Sequence, residues 1–386
     1  MKQLISQSES KRSIRLLFIE SSLTSFTLFM PIMYLLYTSA GLNQFQIGLI
    51  SFVFAISMLF AQIPTGYLAD KFSRKISNLF GDIFIAIGIL LYALSGSFWF
   101  FALAEIIFGI GLSLTSGADA ALLREHAKNA DMDYKKLAAN LASFSFVAQG
   151  FGAITGGFIG HYNIRWPLFV QFGIFVIAAL FSLSIKDIGA KRETKKHPFT
   201  DAYEITKYCL HGHKRLAWRM FLTASTNVST FLIVWFLTPI FLRAGVKIGF
   251  HGVLFALISV AAILGARFAH RFKDVRLTSS LLISALGYFL LSVSINIYTL
   301  GFYLLTSFAR GFSRARTSPY VQEVVPDDIQ ATVLSVNAMI FKVFSGTLVV
   351  LINYIGNFEL RYGLFASFVI SIGFWAFFRA NEHKYI

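Results

Sequence analysis

Long apolar segments alternate with short polar connections along the whole chain. Twelve of these segments reach about 20 residues, the length that an α-helix needs to cross the hydrocarbon core of a bilayer. The pattern therefore predicts an all-α membrane protein with twelve transmembrane helices. The predicted spans are 16–38, 45–68, 76–95, 98–122, 138–160, 165–185, 217–242, 248–269, 277–296, 299–320, 329–353 and 361–379.

Composition supports the membrane class and argues against an enzyme. Of 386 residues, 56% are hydrophobic and 14% are charged, whereas soluble domains carry about 25% charged residues. The single cysteine, Cys209, excludes an internal disulfide and any cysteine-based metal cluster. The chain has no phosphate-binding Gly-Lys-Ser/Thr loop and no His-Glu-x-x-His motif. We expect no enzymatic activity, no cofactor and no metal.

The net charge of +15 follows the connections between spans. If the amino terminus is cytoplasmic and the spans alternate, 28 of the 34 Lys and Arg residues fall on the cytoplasmic side and four fall outside. Positive residues favour cytoplasmic loops, so both termini are predicted to be cytoplasmic. Topology accounts for the basic residues, and we expect no nucleic-acid partner.

One long basic connection divides the spans into two groups of six. The predicted division is an amino-terminal half at 1–185, a cytoplasmic linker at 186–216 with a short interfacial helix at 199–211, and a carboxyl-terminal half at 217–386. The halves also repeat weakly, because residues 69–72 align with 269–272 at an offset of 200. Both segments follow the second span of their half.

The segment 64–75 carries a family resemblance. It is similar to the loop 2–3 motif of the major facilitator superfamily at Gly66, Leu68, Ala69, Asp70, Lys71, Ser73, Arg74 and Lys75. The resemblance implies a fold of two pseudo-symmetric six-helix halves and a gating motif formed by Gly66, Asp70, Arg74 and Lys75. It also implies that Asp70 holds Arg74 and meets the amino end of span 11 near 328–332, where Asp327 or Asp328 would cap the helix. The alternative is a simple loop ion pair, worth less than about 1 kcal/mol.

Two further segments resemble drug and metabolite efflux members of that family. Residues 116–123 resemble a span 4 signature, although Gln62 and Ala120 stand where that branch carries acids. Span 5 resembles an antiporter motif, although Gly157 and His161 replace two of its residues. Its small residues also predict a close helix contact; they are Gly152, Gly156, Gly157 and Gly160.

Acidic residues inside spans are candidates for proton coupling, because ionisable groups are costly there. In span 4, helical spacing places Glu105 and Asp119 on one face. For Asp119, an ion pair with Arg124 near the cytoplasmic rim is an equal alternative. In span 1, Glu20 is a third candidate, although we expect it to extend towards the cytoplasmic interface. The same span presents Thr27 and Tyr34 as candidate substrate contacts, and Pro31 is expected to bend it.

The second half offers candidate substrate-binding residues of opposite charge. Arg310 lies near the middle of span 10, where it needs an acidic partner, either Glu105 or another internal acid, or an anionic substrate. Lys342 lies in the middle of span 11. Asn227 and Tyr303 complete the set on spans 7 and 10.

These features predict a secondary transporter that moves a small organic molecule by alternating access. Proton-coupled efflux is the main hypothesis. Proton-coupled uptake of an anionic metabolite, such as a carboxylate, phosphate ester or chelate, is the alternative, and a non-transporting receptor or scaffold is a third. We expect a monomer in the cell membrane whose partners are substrate, protons and lipid.

Overall fold

The structure is a computed structural model that describes residues 6–71, 73–187, 207, 209, 212–272, 274–325 and 330–381. These residues form α-helices and two short 3-10 turns, Leu232–Trp235 and Leu300–Phe302, with no strand among them. The helices are α1 (Gln7–Ser25), α2 (Met33–Ser39), α3 (Gln44–Lys71), α4 (Arg74–Leu94), α5 (Phe98–Thr115), α6 (Ala118–Asn129), α7 (Tyr134–Tyr162), α8 (Trp166–Ser184), α9 (Lys214–Phe231), α10 (Leu237–Arg243), α11 (Ile248–Arg271), α12 (Ser279–Val293), α13 (Tyr303–Gln322), α14 (Gln330–Gly356) and α15 (Leu360–Asn381).

Each predicted span coincides with one helix or with one broken pair of helices. Within the described residues, eight helical segments are long and apolar enough to cross a membrane, and the bent pair α9–α10 makes nine. The helices at the remaining predicted spans, α1–α2, α12 and α13, are shorter or more polar. The all-α membrane architecture is confirmed, whereas the count of twelve spans stays a prediction.

Three predicted spans are broken, and each break has a cause in the sequence. Pro31 and Pro239 each lack a backbone N–H and clash with the carbonyl four residues earlier, which interrupts spans 1 and 7. The pair α9–α10 is bent by 42°. Span 4 breaks at Gly117, whose φ of 85° lies in the left-handed region that glycine adopts without strain. The bend expected at Pro31 is confirmed.

The chain divides into two compact units, each with its own packed interior. Unit 1 contains Met1–Leu36, Ser57–Pro198 and Ile248–Ala256, and unit 2 contains Tyr37–Ile56, Phe199–Lys247 and Leu257–Ile386. The beginning of α3 thus packs in unit 2 and the beginning of α11 in unit 1. The predicted division at 186–216 stays a prediction, and most of that linker, including the helix expected at 199–211, lies outside the described residues.

In unit 1, α4 packs against α5 and α8, and α1 packs against α6, α7 and α8. The α4–α5 contact depends on small residues, since a Cβ at Gly81 or Gly111 would overlap atoms of the opposite helix. Arg165 closes the end of α4 by donating to the carbonyl oxygens of Ala93 and Ser95, at 2.5 and 2.8 Å. Basic side chains near a helix carboxyl end satisfy its last carbonyls in this way.

The glycines of α7 hold the broken first span. Cβ atoms at Gly152, Gly156 and Gly160 would overlap residues of the segment 26–32, and one at Gly157 would overlap Gly252. The close helix contact predicted for span 5 is therefore confirmed. Its partner is the non-helical stretch between α1 and α2 together with the start of α11.

In unit 2, α12 packs against α13 and α15, and α9 packs against α13 and α14. Polar contacts tie the helices together: Gln44 donates to Asn353 Oδ1 at 2.5 Å, and Tyr288 donates to the Ser229 carbonyl at 2.7 Å. Arg316 caps the carboxyl end of α11 through the carbonyls of Ala269, Phe272 and Val275. The second copy of the sequence repeat therefore ends in a helix cap.

The glycine contact predicts an asymmetric response to a single methyl group. Gly156→Ala would place its Cβ against the Leu28 carbonyl, and we expect it to lower the free energy of unfolding by about 1–3 kcal/mol. Gly150→Ala is the matched control, because nothing lies within 4 Å of a Cβ on the same helix. Thermal unfolding in detergent measures both variants. Equal melting temperatures would contradict the close contact.

Candidate functional site

A buried acidic cluster lies between α1, α4 and α8 in unit 1. Glu20 of α1 is 3% exposed, and Asp82 and Asn78 of α4 are 0% exposed. The Asn78 amide donates to Glu20 Oε1 at 3.4 Å and to Ser182 Oγ of α8 at 3.3 Å. The two carboxylates are close enough to act on each other and to share a proton. We call these four residues the acidic cluster.

Several oxygen atoms of the acidic cluster have no hydrogen-bond partner within the described part of the chain. They are Glu20 Oε2, Asn78 Oδ1 and both carboxylate oxygens of Asp82. No Lys or Arg of the described residues forms an ion pair with either acid. A buried carboxylate normally has a cation or several donors, so this cluster is suited to holding protons rather than permanent negative charge.

The cluster corrects one expectation and adds a residue that the sequence reading missed. The expected extension of Glu20 to the interface is wrong, because its side chain turns inward against α4 and α8. Asp82 was missed. Its signal was available, since it is an acid within the apolar span 76–95 and such acids are functional candidates by default.

The span 4 acids do not share one continuous helical face. Gly117 separates α5, which carries Glu105, from α6, which carries Asp119 in its first turn. Glu105 is 6% exposed, whereas Asp119 is half-buried and lies near enough to act electrostatically on Glu20 and Asp82. The predicted common face is therefore wrong, although Asp119 does lie near the acidic cluster.

Asp119 and Arg124 do not form the ion pair that we considered. The Asp119 carboxylate accepts from the backbone N–H of Ala120 at 2.7 Å, close to the positive end of the α6 dipole. The Arg124 guanidinium instead lies 5.9 Å from the ring centroid of Tyr134.

The break in span 1 exposes backbone groups that another helix satisfies. Gln171 of α8 is 0% exposed, and its Oε1 accepts from the Leu28 N–H at 2.9 Å. The neighbouring Thr27 is half-buried, and its hydroxyl has no partner within the described residues. Tyr34 follows on α2 and is half-buried. Both candidate substrate residues of span 1 therefore lie at or beside the break.

Unit 2 carries a group of basic and polar residues on α9 and α13. Arg310 is half-buried and Arg314, one turn later, is exposed. Arg310 lies 5.9 Å from the ring centroid of Phe231, within the range of a cation–π contact. Neither guanidinium forms an ion pair within the described part of the chain, so the geometry gives Arg310 no internal acid there.

Asn227 is fixed beside these arginines. Its Oδ1 accepts from Ser313 Oγ at 3.0 Å and from Thr317 Oγ1 at 3.5 Å, both on α13. Lys342 on α14 is half-buried. Tyr303 is 1% exposed and packs edge-on against Phe241 at 5.3 Å, so it belongs to the packed core of unit 2. Tyr303 is therefore not carried into the proposed site.

The segment that resembled the loop 2–3 motif lies at the α3–α4 junction. Gly66 and Asp70 fall in the last turns of α3, and Arg74 and Lys75 begin α4 after the cap residue Ser73. Arg74 forms an ion pair with Glu125 of α6, a partner that the sequence did not suggest. The Asp70 side chain and residues 326–329 lie outside the described residues, so the expected contact with span 11 stays a prediction.

One charged group outside the helices shows how loop ends are fixed in unit 2. Glu359, which precedes α15, forms ion pairs with Arg243 and Arg361. The hydrogen bond from Arg243 holds the pKa of Glu359 below its ordinary value. Its contribution to stability is therefore present above the ordinary carboxylate range and is lost as the pH falls through the lowered pKa.

These helices, their paired glycine contacts and the intramembrane acids are typical of a transporter, and comparison with known proteins decides the family. The family model described as Major Facilitator Superfamily matches residues 20–350. The chain belongs to the Major Facilitator Superfamily. As predicted, it is a multi-pass membrane protein of a transporter family and not an enzyme.

Curated relatives of this superfamily member match part of its length. An uncharacterized MFS-type transporter of Methanocaldococcus jannaschii is 25% identical over 169 residues, which are 43% of this chain and 43% of that protein. The chloramphenicol resistance protein CraA of Acinetobacter baumannii is 29% identical over 151 residues, 39% of this chain and 34% of that protein. The chain thus spans less than half the length of these relatives.

The fold is shared with solved transporters over nearly the whole length. The crystal structure of the nucleoside transporter NupG aligns with a TM-score of 0.77 at 14% identity and covers 98% of each chain. At this identity the likeness shows the fold alone. It confirms the superfamily fold that the loop 2–3 resemblance implied.

The first-span break of this superfamily member should depend on one amide. Gln171→Met keeps the side-chain shape but removes the acceptor of the Leu28 N–H, and we expect a loss of about 1–3 kcal/mol in the free energy of unfolding. Gln149→Met on α7 is the control, since the Gln149 side chain makes no hydrogen bond to any residue that the structure describes. Denaturation in detergent compares the two. A smaller loss for Gln171→Met than for the control would refute the assignment.

Proposed function

We propose that this chain is a proton-coupled secondary transporter that exports a small organic molecule by alternating access. The acidic cluster is the observation that supports the proposal. Glu20 and Asp82 are almost fully buried, they neighbour each other, and they have no cationic partner among the described residues. A transporter needs such a group to carry a proton, because a purely structural acid would normally be paired.

The physical argument rests on desolvation. A carboxylate charge is costly in an apolar environment, and a bound proton removes that charge. Release of the proton then requires a conformation in which water reaches the acids. Protonation and conformation are therefore linked, and each shifts the other's equilibrium. Asp119, which acts electrostatically on both acids, and the buried Glu105 remain candidates for the same proton path.

The direction of transport rests on the relatives. One of the matching proteins is named for chloramphenicol resistance, and export is the direct way for a transporter to confer resistance. We propose that Gly66, Asp70, Arg74 and Lys75 form the gating motif at the α3–α4 junction. The Arg74–Glu125 ion pair would couple that junction to α6, the helix that carries Asp119.

The membrane setting of the proposal follows the charge distribution. We propose that the protein lies in the cell membrane as a monomer, with both termini cytoplasmic. The basic connections support this orientation, since 28 of 34 Lys and Arg residues fall on the side assigned to the cytoplasm.

Proton coupling can be tested in reconstituted vesicles. With chloramphenicol as the probe, an imposed pH gradient should drive its accumulation by the unaltered protein. Glu20→Gln and Asp82→Asn should each abolish the gradient-driven component while leaving exchange at equal pH, because exchange needs no net proton release. Glu9→Gln is the matched control, since Glu9 lies on the same helix α1 but its side chain is 44% exposed.

Two results would overturn the coupling proposal. One is transport that ignores the pH gradient. The other is intact coupling after Glu20, Asp82, Glu105 and Asp119 have all been neutralised. Equal loss of exchange and gradient-driven transport in the Glu20 and Asp82 variants would assign the acids a structural role instead.

Arg310 and Arg314 support a second candidate function, the uptake of an anionic metabolite. The two guanidiniums lie one turn apart on α13, reach solvent and form no ion pair within the described residues. Guanidinium groups bind carboxylates and phosphates bidentately, and Asn227 is held beside them by α13 hydroxyls. An anionic substrate, with Lys342 as a further contact, would supply the missing negative charge.

The second candidate predicts a charge preference in ligand-induced stabilisation. Anionic metabolites should raise the melting temperature of the purified protein, and Arg310→Gln should weaken their binding about 10- to 100-fold, because a charge-assisted hydrogen bond contributes about 1.5–3 kcal/mol. Arg310→Lys should retain part of the binding, and Lys247→Gln, at an exposed position of unit 2, should retain all of it. Stabilisation by cationic dyes alone would refute anion binding, and no stabilisation by any solute would favour the scaffold.

A further inference from the structure

An aromatic groove lies between α9, α14 and α15 in unit 2, away from both groups of candidate transport residues. Its volume is about 640 Å³. The groove is lined mainly by rings, and we call these six residues the aromatic groove: Trp218, Phe221, Phe344, Phe374, Phe377 and Phe378. Neither proposed function uses it.

The rings form two packed sides. Trp218 contacts Phe378 edge-on, with ring centroids 4.8 Å apart, and Phe377 at 5.8 Å. On the other side, Phe344 stacks on Phe374 at 6.4 Å with an interplanar angle of 6°. Within the described part of the chain the groove is open to the protein surface, since Phe377 is 56% exposed and Phe221 is 37% exposed.

The polar lining of the groove has one sign of charge. Lys214 lies at the end where α9 begins, and Ser225 lies towards the middle of the helix. None of the lining residues is acidic, and Lys214 forms no ion pair among the residues that the structure describes. The first turn of α9 also has no side-chain cap from His213, so the positive end of its dipole reinforces the charge of Lys214.

The length of the groove matches one leaflet of a bilayer. Lys214, Ala217, Trp218, Phe221 and Ser225 follow one face of α9 and span eleven residues, or about 16 Å at the helical rise. Half of the hydrocarbon core of a bilayer is about 15 Å thick. An acyl chain can therefore extend along the rings while its headgroup remains at the level of Lys214.

From this geometry we propose that the aromatic groove binds an anionic phospholipid of the cytoplasmic leaflet, with its acyl chain along the rings and its phosphate at Lys214. The beginning of α9 follows the most basic connection of the chain and is predicted to lie at the cytoplasmic interface. Basic pockets between transmembrane helices on that side bind anionic headgroups. A cationic solute would find no acid in the groove, and a neutral one would not use Lys214.

Fluorescence quenching tests the proposal directly, because Trp218 forms part of the groove. Trp99, Trp166, Trp235 and Trp375 are replaced by Phe, and the full chain is reconstituted into vesicles with brominated acyl chains. Brominated phosphatidylglycerol should quench Trp218 at about fivefold lower mole fraction than brominated phosphatidylcholine, the factor expected for one basic residue near anionic lipid.

Three variants locate the headgroup. Lys214→Gln should abolish the preference for phosphatidylglycerol, and Lys214→Arg should keep it. Arg215→Gln is the matched control, because Arg215 is the exposed neighbour on α9 but does not line the groove, and it should also keep the preference. Native mass spectrometry of the chain with all five tryptophans should show the same order of retained lipid, so the test survives if the single-tryptophan protein does not fold.

Two outcomes would overturn the proposal. Equal quenching by the two lipids would mean that Trp218 meets only bulk lipid. Quenching that brominated lipid cannot produce but that chloramphenicol or an anionic solute changes would make the groove a solute site.

Discussion

A polar group between apolar helices has no water to satisfy it, so the protein must supply its partner. This constraint explains most of the specific contacts in the structure. Gln171 supplies the acceptor for a backbone N–H that the break in span 1 leaves unpaired. Arg165 and Arg316 supply donors to the carbonyls that end α4 and α11. Where a partner is missing, as in the acidic cluster, the exception itself suggests function.

The two units use charge differently. Unit 1 buries carboxylates, and those of Glu20 and Asp82 leave oxygens without partners among the described residues. Unit 2 instead holds the guanidiniums of Arg310 and Arg314 where they reach solvent, beside an asparagine fixed by hydroxyl groups. A weak sequence repeat thus carries opposite chemistry in its two copies. The proton-carrying and anion-binding parts of a transport cycle can therefore be altered independently by mutation.

Periodicity and length were enough to predict the helices, because an apolar run of sufficient length has few other structures available in a membrane. Glycine spacing in α7 also predicted a close contact correctly. The sequence could not show that Gly117 adopts a left-handed conformation, and this break separated Glu105 from Asp119. Nor could it show that Glu20 turns inward, because the direction of a side chain near a helix end depends on its neighbours. Asp82 could have been found from sequence, by treating every acid within a span equally.

The broken first span has a consequence for how the protein moves. A continuous helix transmits rotation along its axis, but α1 and α2 are joined by residues 26–32, which lack a continuous helical ladder. The glycines of α7 and the amide of Gln171 fix the position of this joint, yet a few backbone torsions there can redirect α2 without unwinding α1. The joint therefore acts as a universal coupling: it keeps the acid-bearing α1 in place while the segment that carries Tyr34 changes its direction.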